Sequence, residues 1–262
     1  MEINLVPKFL DEAITPVAQS VGNTLSSIWT MVFGGIDIYA QKTQHKRLVA
    51  LNKFKEELEQ KVTSVPQEKL VEPPLHIVGP SIEASKYYFE SDELRSMFAN
   101  LIAASINVDT IAKAHPSFVE IIKQLSPLDA KNLQLFKLKN RFPIVEYELV
   151  IKNNKGKTPY KTNVFLENTE IIDVDLNATS ISNLHRLGLV VIDYEQYLVN
   201  DALYKKFLNI PFYQELEQLF TSGISSLNSD LINFEKIYEK IELKKGIVTI
   251  TPLGQSFIDL CI

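Results

Sequence analysis

Apolar side chains recur at helical spacing through the first quarter of the chain. Val17, Val21, Leu25, Ile28 and Val32 stand three or four residues apart and share one face of a predicted helix. Residues 39–59 predict a second helix, with Leu48, Leu51, Phe54 and Leu58 on its buried side. Residues 65–80 hold Pro66, Pro73, Pro74 and Pro80 and read as an extended connector, because proline disfavours helix at the residue before it. A further helix starts near Pro80 and breaks at Ser91, an N-cap followed by Asp92 and Glu93. Leu94, Met97, Phe98, Leu101 and Ile102 then form a broad apolar stripe that His115-Pro116 interrupts. A short helix follows over 117–124. At Ser126-Pro127-Leu128-Asp129 the cap, the first-turn proline and a carboxylate able to reach back to the cap amide all agree on a helix start.

From Ile144 the period changes to two. Val145, Tyr147, Leu149 and Ile151 alternate with Glu146, Glu148 and Val150, and Asn153-Asn154-Lys155-Gly156 turns the chain toward 162–166, a β-hairpin. A capped helix over about 177–187 ends at Gly188, and 189–192 reads as a strand. Helices are predicted near 201–208, 212–220 and, after a Ser/Asn-rich break at 221–229, 231–243. A short strand at 246–250 and a helix at 252–260 close the chain. The fold class expected is therefore mainly α with α+β: a helical domain over 1–115, then an α+β domain over 116–262. The run Ala178 to Val190, with Gly188 at its turn, resembles the end of a winged-helix recognition helix passing into its first strand. No repeat of 20–50 residues occurs.

Composition adds exclusions more than indications. The 262 residues carry a net charge of −5, with 45% hydrophobic and 23% charged positions, which sets aside collagen-like, disulfide-rich and largely disordered chains. The first 115 residues hold 11 basic and 14 acidic side chains and the rest 16 and 18, so neither half is a polycation seeking nucleic acid. The single cysteine, Cys261, can build neither an internal disulfide nor a thiolate zinc site, and it points to a reducing, cytoplasmic setting. The opening Met1-Glu2-Ile3-Asn4 lacks the basic region of a secretory signal.

No phosphate-binding glycine loop, zinc-hydrolase helix or serine-hydrolase elbow is present, and His45, His76, His115 and His185 show no ligand spacing. The Arg-to-His spacing of helical defence ribonucleases is also missing. No catalytic residue, cofactor or metal is expected, although acid–base pairs assembled from distant positions would leave no such pattern. The candidate interaction residues are few. Arg95 shares a helix with Asp92 and reads first as a local ion pair. His115 reads first as a cap on helix-end carbonyls. Lys152, Lys155, Lys157 and Lys161 cluster on the hairpin, the nearest thing to a phosphate-binding wing, with Arg186 on the candidate recognition helix. A solvated hairpin tip explains those lysines more simply. Glu56, Glu57 and Glu59 read as a solvated helix face. From Ala13 to Ile36 no side chain is charged, a length sufficient to cross a bilayer, but Gln19, Asn23, Pro16 and several Ser and Thr oppose insertion. A helix packed on protein is the preferred reading, and peripheral membrane contact beside Lys42, Lys46, Arg47, Lys53 and Lys55 is the other.

Three stretches carry a family likeness: Leu94-Arg95-Ser96-Met97-Phe98-Ala99, His115-Pro116-Ser117-Phe118-Val119 and Leu125-Ser126-Pro127-Leu128-Asp129-Ala130. With the polar-apolar first helix they resemble the bacterial Abi-alpha family, most strongly over residues 70–135 and more weakly through Asn183–Leu189 and Thr251–Phe257. That family is named for abortive infection, in which an infected cell stops growing before phage can spread. The resemblance implies a defence role exercised through protein, self-association or membrane contacts, and it supplies no catalytic residues. A winged-helix DNA-binding regulator and an unrecognised nuclease toxin stand as alternatives.

Overall fold

A computed structural model describes residues 6–35, 42–222 and 234–262. Their contacts divide the chain into two compact units, Met1–Ala130 with Gln255–Ile262, and Lys131–Gly254. The helices on both sides of residue 115 thus belong to one unit, whereas pattern alone places the division at that point.

The first unit is helical. Its α1 spans Pro16–Phe33, with Thr15 capping the amide of Ala18. The buried stripe is Ala18, Val21, Gly22, Leu25, Trp29 and Phe33. Val17 lies outside that stripe, 42% exposed, because the stripe runs from Ala18 through Val21 and Leu25 to the rings of Trp29 and Phe33. α2 covers Lys42–Thr63 and buries Leu51, Phe54, Leu58 and Val62. Residues 39–41 of the expected second helix lie outside the described residues.

The expectation of an extended connector over 65–80 is corrected. Extended backbone is confined to the stretch before Leu75, where Val71 N–H donates to the Ile106 carbonyl and Val108 N–H to that of Lys69. From there α3 runs Leu75–Ser85 with Pro80 inside it. An interior proline costs a helix about 3 kcal/mol. Burial of Ile77, Val78, Ser81, Ile82, Ala84 and Ser85 on both sides of Pro80 offsets that cost. α4 spans Asp92–Ser105 from its Ser91 cap, and α5 spans Ser117–Lys123. The last helix, α10 (Pro252–Cys261), ends in this unit, with Phe257 edge-on to Phe118 at 5.2 Å and the Cys261 carbonyl accepting from Asn100 at 3.1 Å. Cys261 is fully buried, which pushes its thiol up.

α6, Pro127–Leu135, leads into the second unit. Its start is the predicted reciprocal cap: Ser126 N–H donates to Asp129 at 2.7 Å and Asp129 N–H to the Ser126 hydroxyl at 3.1 Å. The sheet is antiparallel in the order β2-β1-β4-β3, with β1 Arg141–Ile151, β2 Lys157–Val164, β3 Val190–Asp193 and β4 Tyr238–Ile250. α7 (Val174–Arg186) lies between β2 and β3 in sequence, and a 3-10 stretch (Asp201–Asn209), α8 (Pro211–Ser222) and the short α9 (Phe234–Ile237) precede β4.

Of the helix expected over 231–243, residues 231–233 lie outside the described residues, 234–237 are the helical α9, and the rest is corrected, since from Tyr238 onward the chain is strand. The expected short strand at 246–250 is only the end of β4. The spacing of Tyr238 and Ile241 suits a helix, but β4 pairs with β1 from Tyr238↔Ile151 to Thr249↔Arg141, and that long ladder overrides local preference. Val145, Tyr147 and Leu149 face a core closed by Tyr204, Phe207, Tyr213, Leu216 and Leu219. The buried Tyr147 hydroxyl donates to the Phe207 carbonyl at 2.6 Å, and burial raises its phenol far above the usual range.

Candidate functional site

Helix α4 sets the first cluster. Ser91 holds its first turn, and Arg95 follows one turn later with only 9% of its surface exposed. Its Nε donates to Glu57 on α2 at 2.9 Å, and Nη1 donates to Asp92 at 2.6 Å and to the Phe89 carbonyl at 3.4 Å. The hydroxyl of Ser96 donates to the other oxygen of Glu57. Burial disfavours the charge on Arg95, yet the bonds to Glu57 and Asp92 outweigh it and hold the guanidinium above its usual range. The same bond to Arg95, with its charge alongside, holds Asp92 below the ordinary carboxylate value.

A second arginine grips the same α3–α4 turn from α2. Arg47 Nη2 donates to the Lys86 carbonyl at 3.1 Å, Nε lies 3.7 Å from Glu90, and the guanidinium sits 5.5 Å over the Phe89 ring. The arrangement fastens helices; both carboxylates nearest Arg95 accept from it. The reading of Arg95 as a locally paired residue is therefore extended to a partner 38 positions away. Glu57, one of three glutamates read as a solvated face, is that partner. No periodic signal marks it out from Glu56 and Glu59. Among the described residues no group of three or more His, Cys, Asp or Glu is arranged to hold a metal ion.

His115 stands exposed before α5, where its Nδ1 accepts from the Ser117 amide at 3.1 Å and lies 2.6 Å from the Ser117 hydroxyl. The expected cap on carbonyls at a helix end is replaced by a cap on an amide at a helix start, because Pro116 turns the chain straight into α5.

On the hairpin the lysines separate. Lys157 bridges Glu148 at 3.3 Å and Glu242 at 2.7 Å, and Lys161 pairs with Asp175 at 2.5 Å while lying 5.3 Å over the Phe212 ring. Lys240 binds Glu242 at 2.5 Å, and Lys244 lies 3.9 Å from Glu146. Lys157, Lys240 and Lys244 thus surround Glu148, Glu242 and Glu146 on β1 and β4, where Glu148 and Glu242 stand directly opposite each other. Two lysines hold Glu242 below the usual carboxylate value, whereas burial pushes Glu146 up despite Lys244. Lys152 and Lys155 are exposed in the turn itself. Arg186 donates from Nε and Nη2 to Asn183.

Sequence reasoning missed a buried polar network. Asn132 on α6 donates to Asn177 at 3.2 Å and Ser180 at 2.9 Å on α7, and accepts from Asn168 at 2.7 Å. All four side chains are buried. α6 has almost no apolar periodicity of its own, so nothing in its pattern shows that Asn132 faces inward.

No helix among the described residues is long and apolar enough to cross a membrane. Compared with known proteins, the chain matches the family described as abortive infection alpha over residues 46–261. Neither a curated protein nor a solved structure matches it.

Proposed function

We propose that this chain, which belongs to the abortive infection alpha family, acts in abortive infection through contacts of its surfaces rather than by catalysis. The observation that carries the reading is the use to which the family-matched stretch puts its polar residues. Arg95, Ser96, Asp92 and Glu57 are bonded to one another, and Ser126 and Asp129 close a helix cap. Groups engaged in this way hold helices in register and leave surfaces, rather than a reacting centre, to meet a partner. A partner protein or a second copy of the chain is the contact expected of the helical unit, with a membrane surface as the further one.

We read Lys131–Gly254 as a winged-helix-like unit used for packing. α7 passes through Gly188, at φ +73°, into β3; β3 pairs with β4; and the Thr251 hydroxyl donates to the Gly188 carbonyl. The DNA-binding version of that unit is less well supported, since Lys157 and Lys161 are engaged by carboxylates.

The test is phage challenge of a sensitive host expressing the chain. At low phage-to-cell ratio the culture survives, and at high ratio infected cells arrest without releasing progeny. Survival of the individually infected cells, or turnover of nucleic acid by the purified chain, overturns the reading.

A further inference from the structure

We propose that α1 is a releasable amphipathic helix, docked on α2 and α3 in the structure described and able to transfer to the surface of an anionic bilayer. The inference rests on the contact-based reading above and names one such contact. The family match begins at residue 46, so the rings of Phe54 and Phe89 that receive α1 belong to the matched region and α1 does not. Trp29 lies 5.5 Å from Phe54, and Phe33 lies 6.4 Å from both Phe54 and Phe89. From Pro16 to Phe33 no side chain is charged, so leaving the groove breaks no side-chain ion pair of the helix. The chain just before it carries two exposed bonds, Lys8 N–H to Glu59 at 2.6 Å and Ile14 N–H to Gln67 at 3.1 Å, and Phe9, buried edge-on to Trp29 at 6.1 Å, which would move with the helix.

The two faces of α1 suit the transfer. Its docked stripe ends in Trp29 and Phe33, side chains that favour the bilayer interface. Its outer face carries Gln19, Asn23, Ser27 and Thr30, which face water in either place. Lys42 and Lys46 follow at the start of α2 and would be drawn to anionic headgroups. The helix is too polar to span, so the destination is the surface.

Trp29 is the sole tryptophan and reports its own position. The full chain is mixed with phosphatidylcholine vesicles, with or without phosphatidylglycerol, whose acyl chains are brominated. Anionic brominated vesicles are expected to quench Trp29 emission, with neutral ones doing so less. Gln67→Ala, which removes one tie at a half-buried position, is expected to raise the quenched fraction by about twofold or more through the shifted docking equilibrium. Trp29 unquenched by anionic vesicles in both the parent chain and Gln67→Ala overturns the proposal, as does quenching by aqueous acrylamide alone. Phage defence persisting in that case would leave the contact-based reading standing without α1 on a membrane.

Discussion

Arg95 on α4 reaches Glu57 on α2 through a bond of 2.9 Å in which the arginine side chain is 11% and the glutamate 20% exposed. Removing one member of so covered a pair leaves the other charge without its partner, which costs more than the pair contributes. Arg95→Ala is expected to lower unfolding free energy by about 2–3 kcal/mol, below the fully buried range because Glu57 retains some water. Arg95→Lys keeps the charge but not the fork that reaches Glu57, Asp92 and the Phe89 carbonyl together, and should cost about 1–2 kcal/mol. The double Arg95→Met, Glu57→Gln should cost less than the sum of Arg95→Met and Glu57→Gln measured alone. Urea unfolding of those two singles and the double checks this, and simple additivity would show that the two residues are not coupled.

Two carboxylates should respond to pH with opposite sign. Asp92 is held below its ordinary 3.8, so its contribution is present above that value and is lost as pH falls through the lower folded value. It is 74% exposed, which limits the effect to a fraction of about 1 kcal/mol. Glu146 is raised above 4.5 by burial, so its ionised form weighs against the fold as pH rises past 4.5. Asp92→Asn should therefore flatten the acid limb of the stability curve. Glu146→Gln should stabilise at neutral pH, with the gain vanishing below about pH 4. Thermal melts across pH 3–8 separate the two, and equal slopes for both variants would refute the assignment.

Two glycines predict different outcomes for one substitution. A Cβ on Gly254 would stand 2.0 Å from the Leu189 carbonyl oxygen and 2.5 Å from Ile250 Cδ1, where α10 starts against the α7–β3 turn. Gly254→Ala must push backbone away from backbone, and should cost about 3 kcal/mol or more, as overpacking does. Gly79, inside α3, meets no atom within 4 Å at its Cβ position apart from its chain neighbours, of which the next is Pro80. A Cβ on a helical residue before proline crowds the proline ring, which offsets the relief of glycine's helix penalty, so Gly79→Ala should change stability by less than about 1 kcal/mol. A melting temperature that falls steeply for the first and hardly moves for the second bears this out.

How much of this was readable in the sequence depends on whether a feature is local. The Ser126–Asp129 cap, the Ser91 cap and the positive φ at Gly188 are set within four residues, and pattern located each. The first part of β4, up to Leu243, reads as helix in the sequence because only its ladder with β1, formed by residues about 90–110 positions away, distinguishes the two periods. Pro80 looked like a boundary because its cost is local while the burial that offsets it is not. In the candidate sites the ionic partners of Arg95 and Lys157 were half visible. Asp92 is three residues from Arg95, but Glu57 and Glu242 reach their partners only through folding.

Asn132 gives the sharpest test of the second unit. Its amide makes two donations and one acceptance, joining α6, α7 and the loop at Asn168 in one buried network. Asn132→Leu fills a similar volume but leaves Asn168 without its acceptor and Asn177 and Ser180 without their donor. Each buried polar group so stranded costs about 1–3 kcal/mol, and partial relaxation brings the expected total to about 3 kcal/mol. Asn132→Asp keeps the shape, loses both donations and introduces a carboxylate where water is excluded. It should be the worse of the two at pH 7 and regain stability on acidification, because a neutral acid can donate again. Asn132→Leu should show no such recovery. Hydrogen exchange that rises in α7 and β3 while α4 stays protected would place the damage in Lys131–Gly254. Phage defence that survives at low temperature and fails on warming would then tie the packing of that unit to activity.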